Sequence, residues 1–256
     1  MLQNYAFLST FADYFKAIFQ VTILSKGKLV KFAEMSSFPN VYQNFEGHGN
    51  ELLTRNDGAE VVMRGQWAAH FGNDNPITLE LACGGGEYAV AMAAMYPDRN
   101  FIGVDIKGAR IWRGAKQALR ANLPNVAFIR TRIEELLYFF AASEINEIWI
   151  TFPDPFLRKS RANHRLTSSR FLAMYPKILV ANAKIHLKTD EPNLYAYTLE
   201  TVAEANGTVL YHDNNIYAKE LILPELGIKT YFETIDIARE NTVKYIQFTL
   251  QPPETV

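Results

Sequence analysis

From Ile77 onward, apolar and polar positions fall into regular blocks. Short apolar runs, several of them β-branched, occur at Ile77–Ala82, Asn100–Asp105, Val126–Arg130, Glu147–Phe152 and Lys184–Thr189. Runs of that length bounded by turn residues predict buried strands. Between them lie stretches of good helix formers at Glu87–Met95, Ala109–Ala121, Glu134–Ala142 and Ser168–Val180. A further helix is predicted over Asn193–Ala205, then strands over Thr208–Asp213 and Lys244–Leu250. This alternation predicts βαβ units, a mostly parallel seven-stranded sheet, and helices on both faces.

The chain before Ile77 reads differently. Phe7, Phe11, Tyr14, Phe15, Ile18 and Phe19 follow helical spacing, but Asp13, Lys16 and Gln20 interrupt them. That makes a poor membrane span. Without a basic start or a small-residue cleavage site it is also a poor signal peptide. Residues 1–28 are expected to be an extension, either helical or disordered, and 29–256 a single domain. Residues Phe32 to Asn75 are polar, with Pro39, Gly47, Gly49 and Gly58, and read as an irregular lead-in.

Composition adds bounds. The 256 residues are 48% hydrophobic and 21% charged, enough apolar surface for a full core. The formal net charge is -1, so nucleic-acid binding would need a local basic patch. One cysteine excludes an internal disulfide and suits a reducing, cytoplasmic setting. The five histidines are scattered, with no metal-binding spacing, so no metal is expected, and the interrupted N-terminal stretch leaves no membrane association expected.

The first strand runs into Ala82-Cys83-Gly84-Gly85-Gly86-Glu87. Glycines at a strand-to-helix turn let a ligand approach the main chain, and nucleotide-like cofactors bind there in open α/β sheets. Asp105 ends the second strand, 19 positions after Gly86 (105 − 86), where a carboxylate accepts from ribose hydroxyls. Gly84-x-Gly86-x-x-Ala89 also satisfies a dinucleotide pattern, a weak signal alone. Glu80 discriminates: an acid beside a pyrophosphate repels it, whereas the ammonium of S-adenosylmethionine welcomes it. The plainer reading of Glu80 is an acid capping loop amides. Cys83 has no adjacent base and reads as a small turn residue.

The fourth strand runs into Phe152-Pro153-Asp154-Pro155-Phe156, where two prolines restrict the backbone around Asp154. Asp154 is placed for function there, or else caps its own turn. Arg158, Lys159, Arg161, His164, Arg165 and Arg170 follow in one dense cationic segment. A solvated loop is the usual reading of such a run, but beside a cofactor site it suits an anionic polymer. Lys159, Arg161, His164 and Arg165 are the candidate RNA contacts. Arg110, Arg113, Lys116 and Arg120 share one helix face, more simply its wet side. The fifth strand closes at Lys188-Thr189-Asp190, and Thr230-Tyr231-Phe232-Glu233 forms a short polar segment near the C-terminus.

Together these segments resemble the bacterial tRNA (guanine-N7-)-methyltransferase family over roughly Gly27 to Gln251. The carrying motifs are Glu80 with the glycine turn, Asn100-Phe101-Ile102-Gly103-Val104-Asp105 and Ile150-Thr151-Phe152-Pro153-Asp154-Pro155. Arg165-Leu166-Thr167, His186-Leu187-Lys188-Thr189-Asp190 and Thr230-Tyr231-Phe232-Glu233 complete them. The resemblance implies a Rossmann-like class I methyltransferase that carries a methyl group from S-adenosylmethionine to guanine N7 in the variable loop of tRNA. It further implies that Glu80, Gly84, Gly86, Asp105, Arg132 and Asp154 line the cofactor site. Arg158, Asp190, Thr230, Tyr231, Phe232 and Glu233 are then substrate contacts, and Asp154 the catalytic one. A monomer or homodimer is expected.

The sequence departs from the family pattern at three places. Ala82 and Gly85 stand where the first motif usually has glycine and lysine. Arg132 stands where the family usually has an acceptor for the adenine amino group, leaving that role to backbone groups. Rival readings are a dinucleotide-dependent oxidoreductase, a catalytically silent tRNA-binding protein of the same fold, and a small-molecule methyltransferase.

Overall fold

The computed structural model describes residues 27–44, 49–234 and 242–251. Residues 27–35 form a first helix, α1. Three short strands follow: β1 (Val41–Gln43), β2 (Leu52–Thr54) and β3 (Glu60–Val62). After α2 (Trp67–Phe71) the regular alternation begins. It runs β4 (Ile77–Leu81), α3 (Glu87–Met95), β5 (Asn100–Asp105), α4 (Gly108–Arg120) and β6 (Val126–Arg130). Then come α5 (Leu136–Phe139), β7 (Ile145–Thr151), α6 (Ser169–Leu172), β8 (Leu179–Thr189) and α7 (Pro192–Glu204). The chain closes with β9 (Thr208–Asp213), α8 (Tyr231–Thr234) and β10 (Lys244–Thr249).

All the strands join one sheet, ordered β3-β2-β1-β6-β5-β4-β7-β8-β10-β9. The seven strands expected from the sequence are β4 to β10, and the segment β1–β3 adds a further edge. From β1 to β8 through β6, β5, β4 and β7 every pairing is parallel, and β10 runs antiparallel to both neighbours. The chain steps outward from β4 to β5 and β6, then returns to β4's other side with β7. That reversal is a switch point, where a crevice opens at the carboxyl ends of the strands.

Period-two alternation feeds two cores. Leu79, Leu81, Ile102, Val104, Ile148 and Ile150 face one side, against Trp67, Phe139, Phe171 and Leu194. Phe101, Phe128, Trp149 and Tyr245 face the other, against Met35, Tyr88, Met92, Ile111 and Ala115. Helices α1, α3 and α4 therefore cover one face, and α2, α5, α6 and α7 the other.

Several expected boundaries move. In the lead-in, residues 32–44 and 49–75 carry regular elements: the three-residue strands are too short to show a period, though Asp57-Gly58 marks the β2–β3 turn, where Gly58 N donates to Arg55 O (3.0 Å). Ser168–Val180 is not one helix. Pro176 cannot donate to the residue four back, so α6 stops at Leu172 and a 3-10 turn over Tyr175–Lys177 leads into β8. The expected helix Glu134–Ala142 is a 3-10 turn plus α5. It ends because Trp67 Nε1 and Arg64 Nε donate to the carbonyls of Phe139 (2.9 Å) and Phe140 (3.4 Å). Of the extension expected over residues 1–28, helical or disordered, the aromatic stripe Phe7 to Phe19 lies outside the described residues, and residues 27 and 28 begin α1.

Candidate active site

The switch point holds a cavity of about 910 Å³ at the carboxyl ends of β4 to β7. Register sets its depth: Leu81 pairs with Val104 on one side and Ile150 on the other, so Ala82, Asp105 and Thr151 come level.

The glycine turn forms the floor. Ala82, Gly84 and Gly86 all have left-handed backbones (φ 55, 56 and 72). A Cβ on Gly86 would lie 2.5 Å from the Phe128 ring, so only glycine lets α3 start there. A Cβ on Gly84 would meet nothing, because that residue borders open space. Asp105 fixes the turn: its Oδ2 accepts from Gly84 N (3.0 Å) and its Oδ1 from Lys107 N (2.7 Å). Both Gly84 and Asp105 line the cavity.

Glu80 lies one layer beneath and is not part of the wall. It is 1% exposed, and it accepts from Ala89 N (2.8 Å) and Thr151 Oγ1 (3.3 Å). Burial pushes its carboxyl up to about 8. Gly86 also sits behind the wall, as the residue preceding α3. Burial raises the Cys83 thiol too, which leaves it inert.

The far wall comes from Thr131 and Arg132 after β6, and from the loop after β7. Thr131 Oγ1 is buried without a hydrogen-bond partner. Phe152 and Phe156 both have left-handed backbones (φ 46 and 40), a conformation costing on the order of 1–3 kcal/mol per residue. Pro153-Asp154-Pro155 is clamped between them. Asp154 is exposed at the mouth, and its Oδ1 accepts from Phe156 N (3.1 Å), so it both lines the cavity and caps its turn.

The cationic segment divides. Arg161 and His164 line the cavity beside Phe156, whereas Arg158 and Lys159 are exposed beyond the wall. Arg165 is buried: it donates to the carbonyls of Pro155 (3.0 Å) and Phe156 (3.2 Å) and lies over the Tyr197 ring. It is the brace of the Asp154 loop. On α4, Lys116 and Trp112 bond Glu34 of α1, and Arg113 lies 3.8 Å from Glu87, so that face is partly neutralised.

Thr230 and Tyr231 close the remaining side. Glu233 turns inward to Lys188, and Asp190, at the end of β8, is half-buried outside the wall. Nothing is described of the Phe232 side chain. Lys31 and Lys107 join the wall without having been singled out by sequence, and Arg110 and Arg113, read there as the wet side of their helix, join it too. Lys31 had no local signal, because α1 reads as part of the lead-in.

Among the described residues no helix is long and apolar enough to cross a membrane, and no group of side chains is arranged to hold a metal ion. The parallel sheet, the glycine turn and the acid that closes β5 define a Rossmann-like methyltransferase. A family profile described as "Putative methyltransferase" matches residues 74–245. A tRNA (guanine-N(7)-)-methyltransferase of Bacteroides fragilis is 45% identical over 228 residues, covering 89% of this chain and 87% of the relative. One from Porphyromonas gingivalis is 46% identical over 223 residues, covering 86% and 88%. The chain belongs to the tRNA (guanine-N7-)-methyltransferase family. Among solved structures, the 16S rRNA methyltransferase KamB shares the fold at 15% identity, with a TM-score of 0.56 over 73% of this chain and 94% of that one. A 16S rRNA (adenine(1408)-N(1))-methyltransferase from Catenulisporales acidiphilia, solved with its cosubstrate, has a TM-score of 0.54 at 15% identity, covering 77% of this chain and 96% of that one.

Proposed function

We infer that this protein transfers a methyl group from S-adenosylmethionine to N7 of a guanine in tRNA, with the variable loop as the target. The observation that carries the reading is a rigid acid, Asp154, at the mouth of a glycine-floored cavity that opens toward Arg161 and His164. A single buried cysteine and an RNA substrate favour a cytoplasmic setting.

The wall suits the cofactor chemically. Asp105 supplies a carboxylate at ribose height, Gly84 leaves room beside the backbone, and Thr131 Oγ1 is a buried oxygen still lacking a partner. Arg132 has no acceptor, so adenine is read by Thr131 and backbone groups. Glu80 acts from beneath, its carboxyl tied to the Ala89 amide of α3 and to the Thr151 hydroxyl. When bound, S-adenosylmethionine supplies an electrophilic methyl carbon.

Guanine N7 is a bare acceptor with no proton, so no residue has to act as a base. The protein's work is alignment, which can supply ~7–11 kcal/mol of a barrier. Asp154 accepts from the N1 and N2 hydrogens of the guanine and stabilises the positive charge left on the product. A purine that also reaches Asp190 lies at the mouth, between the ends of β7 and β8. Arg158 and Lys159 take the phosphates leading to it. The target base has to be unstacked to enter, which fits folded RNA.

Asp154→Asn tests this assignment, because an amide keeps the shape but loses one acceptor. Methylation slowed by roughly a hundredfold or more supports it. Rates within a few-fold of wild type remove Asp154 from the reaction.

A further inference from the structure

Lys188 is wholly buried near the carboxyl end of β8, yet it is not part of the cavity wall. Its ammonium has three donors and meets three acceptors, each at 3.0 Å: Leu226 O, Ile228 O and the Glu233 carboxylate. The rings of Tyr88, Phe152 and Tyr217 surround it at 5.3, 5.7 and 5.5 Å. A charge in such a place is stable only while those contacts persist.

Glu233 is equally committed. Its side chain is 2% exposed. Besides Lys188 it accepts from Tyr217 Oη (2.7 Å) and from Thr230 N (3.0 Å). Thr230 N is the amide of a cavity-wall residue. The main chain of Lys188 reaches the opposite wall, because its carbonyl accepts from Phe152 N (2.8 Å) where the Asp154 loop begins.

We propose that Lys188 is a positioning residue that couples the two sides of the substrate mouth, and that Glu233 serves through Lys188 rather than by touching the guanine. One residue thereby holds the Asp154 loop by its carbonyl and the Thr230–Tyr231 wall by its ammonium. The inference rests on the methyltransferase reading for its kinetic consequence, but not for its structural one.

Four variants test it: Lys188→Met, Lys188→Arg, Glu233→Gln and the double variant Lys188→Met/Glu233→Gln. Hydrogen exchange over residues 224–234 is measured with the KM for tRNA and the S-adenosylmethionine affinity. Lys188→Met is expected to speed exchange in that segment and raise the tRNA KM by roughly tenfold, leaving cofactor affinity within about twofold. The double variant should be no worse than the worse single one, since both remove the same tether. Lys188→Arg, which keeps the charge and donors, should recover much of the loss. Penalties that multiply in the double variant would show Glu233 touching tRNA itself and overturn the proposal. So would unchanged exchange over 224–234. If Lys188→Met does not fold, exchange in Glu233→Gln and Lys188→Arg decides the same point. A wild-type protein that makes no 7-methylguanosine would refute the reaction, while the exchange data still judge the tether.

Discussion

Glu80 Oε2 accepts from the amide of Ala89 at 2.8 Å, bonding the strand before the glycine turn to the helix after it. The acid is a buried strut, and the cost of burial shows in its carboxyl, raised to about 8. Between its ordinary value near 4.5 and about 8, the unfolded chain has lost a proton that the folded one keeps. Stability therefore falls as pH rises through that window. Glu80→Gln keeps an acceptor for Ala89 and can donate to Thr151. Its melting temperature should exceed that of wild type at pH 8, with the gap closing toward pH 5. A gap that does not change with pH would show that Glu80 is ionised in the free protein.

The same strut gives a binding signature. A ligand ammonium above the turn stabilises the Glu80 carboxylate and lowers its proton affinity. Calorimetry of S-adenosylmethionine at pH 7, in two buffers of different ionisation enthalpy, should show proton release. Glu80→Gln should abolish that release. Equal proton release by both proteins would place the titrating group elsewhere.

Gly114 lets α4 close on the turn: a Cβ there would lie 2.5 Å from the Gly85 carbonyl oxygen and 3.2 Å from Gly86 Cα. Propensity alone favours Gly114→Ala by up to about 1 kcal/mol. The clash is with backbone, which cannot swing aside, and overpacking of that kind costs about 1–3 kcal/mol. The expected result is a lower melting temperature and weaker cofactor binding, read by thermal unfolding and calorimetry.

Ala82 carries a left-handed backbone at φ 55, a conformation costing an L-residue about 1–2 kcal/mol. Ala82→Gly relieves that strain, against a smaller entropic loss in the unfolded chain. It should stabilise the protein by about 1 kcal/mol. An unchanged or lower melting temperature would mean that the turn is not strained there.

The strands were legible because β4 to β6, most of β7 and the second half of β8 are buried on both faces, a local signal; the first two residues of β8, Leu179 and Val180, fall in the stretch that reads as helix. The glycine turn, Asp105 and the loop around Asp154 followed from their places at strand ends. Arg165 was legible as a cation but not as a brace, because its partners are carbonyls, which every residue carries. The Lys188–Glu233 pair spans 45 residues, and nothing in either segment announces the other. Gly114 carries no local signal, because the need for glycine there comes from the turn folded against it. The three N-terminal strands are too short for periodicity: β1 docks on the edge of β6, and β2 and β3 continue the sheet from β1 as an antiparallel hairpin.

The central claim is the reaction itself. Methyl transfer from labelled S-adenosylmethionine to unmodified bulk tRNA, followed by nucleoside mass analysis, tests cofactor, substrate and atom together. The account predicts 7-methylguanosine, made with Arg132 in place. Tight tRNA binding with no methylated product would contradict it and leave a silent tRNA-binding protein of the same fold.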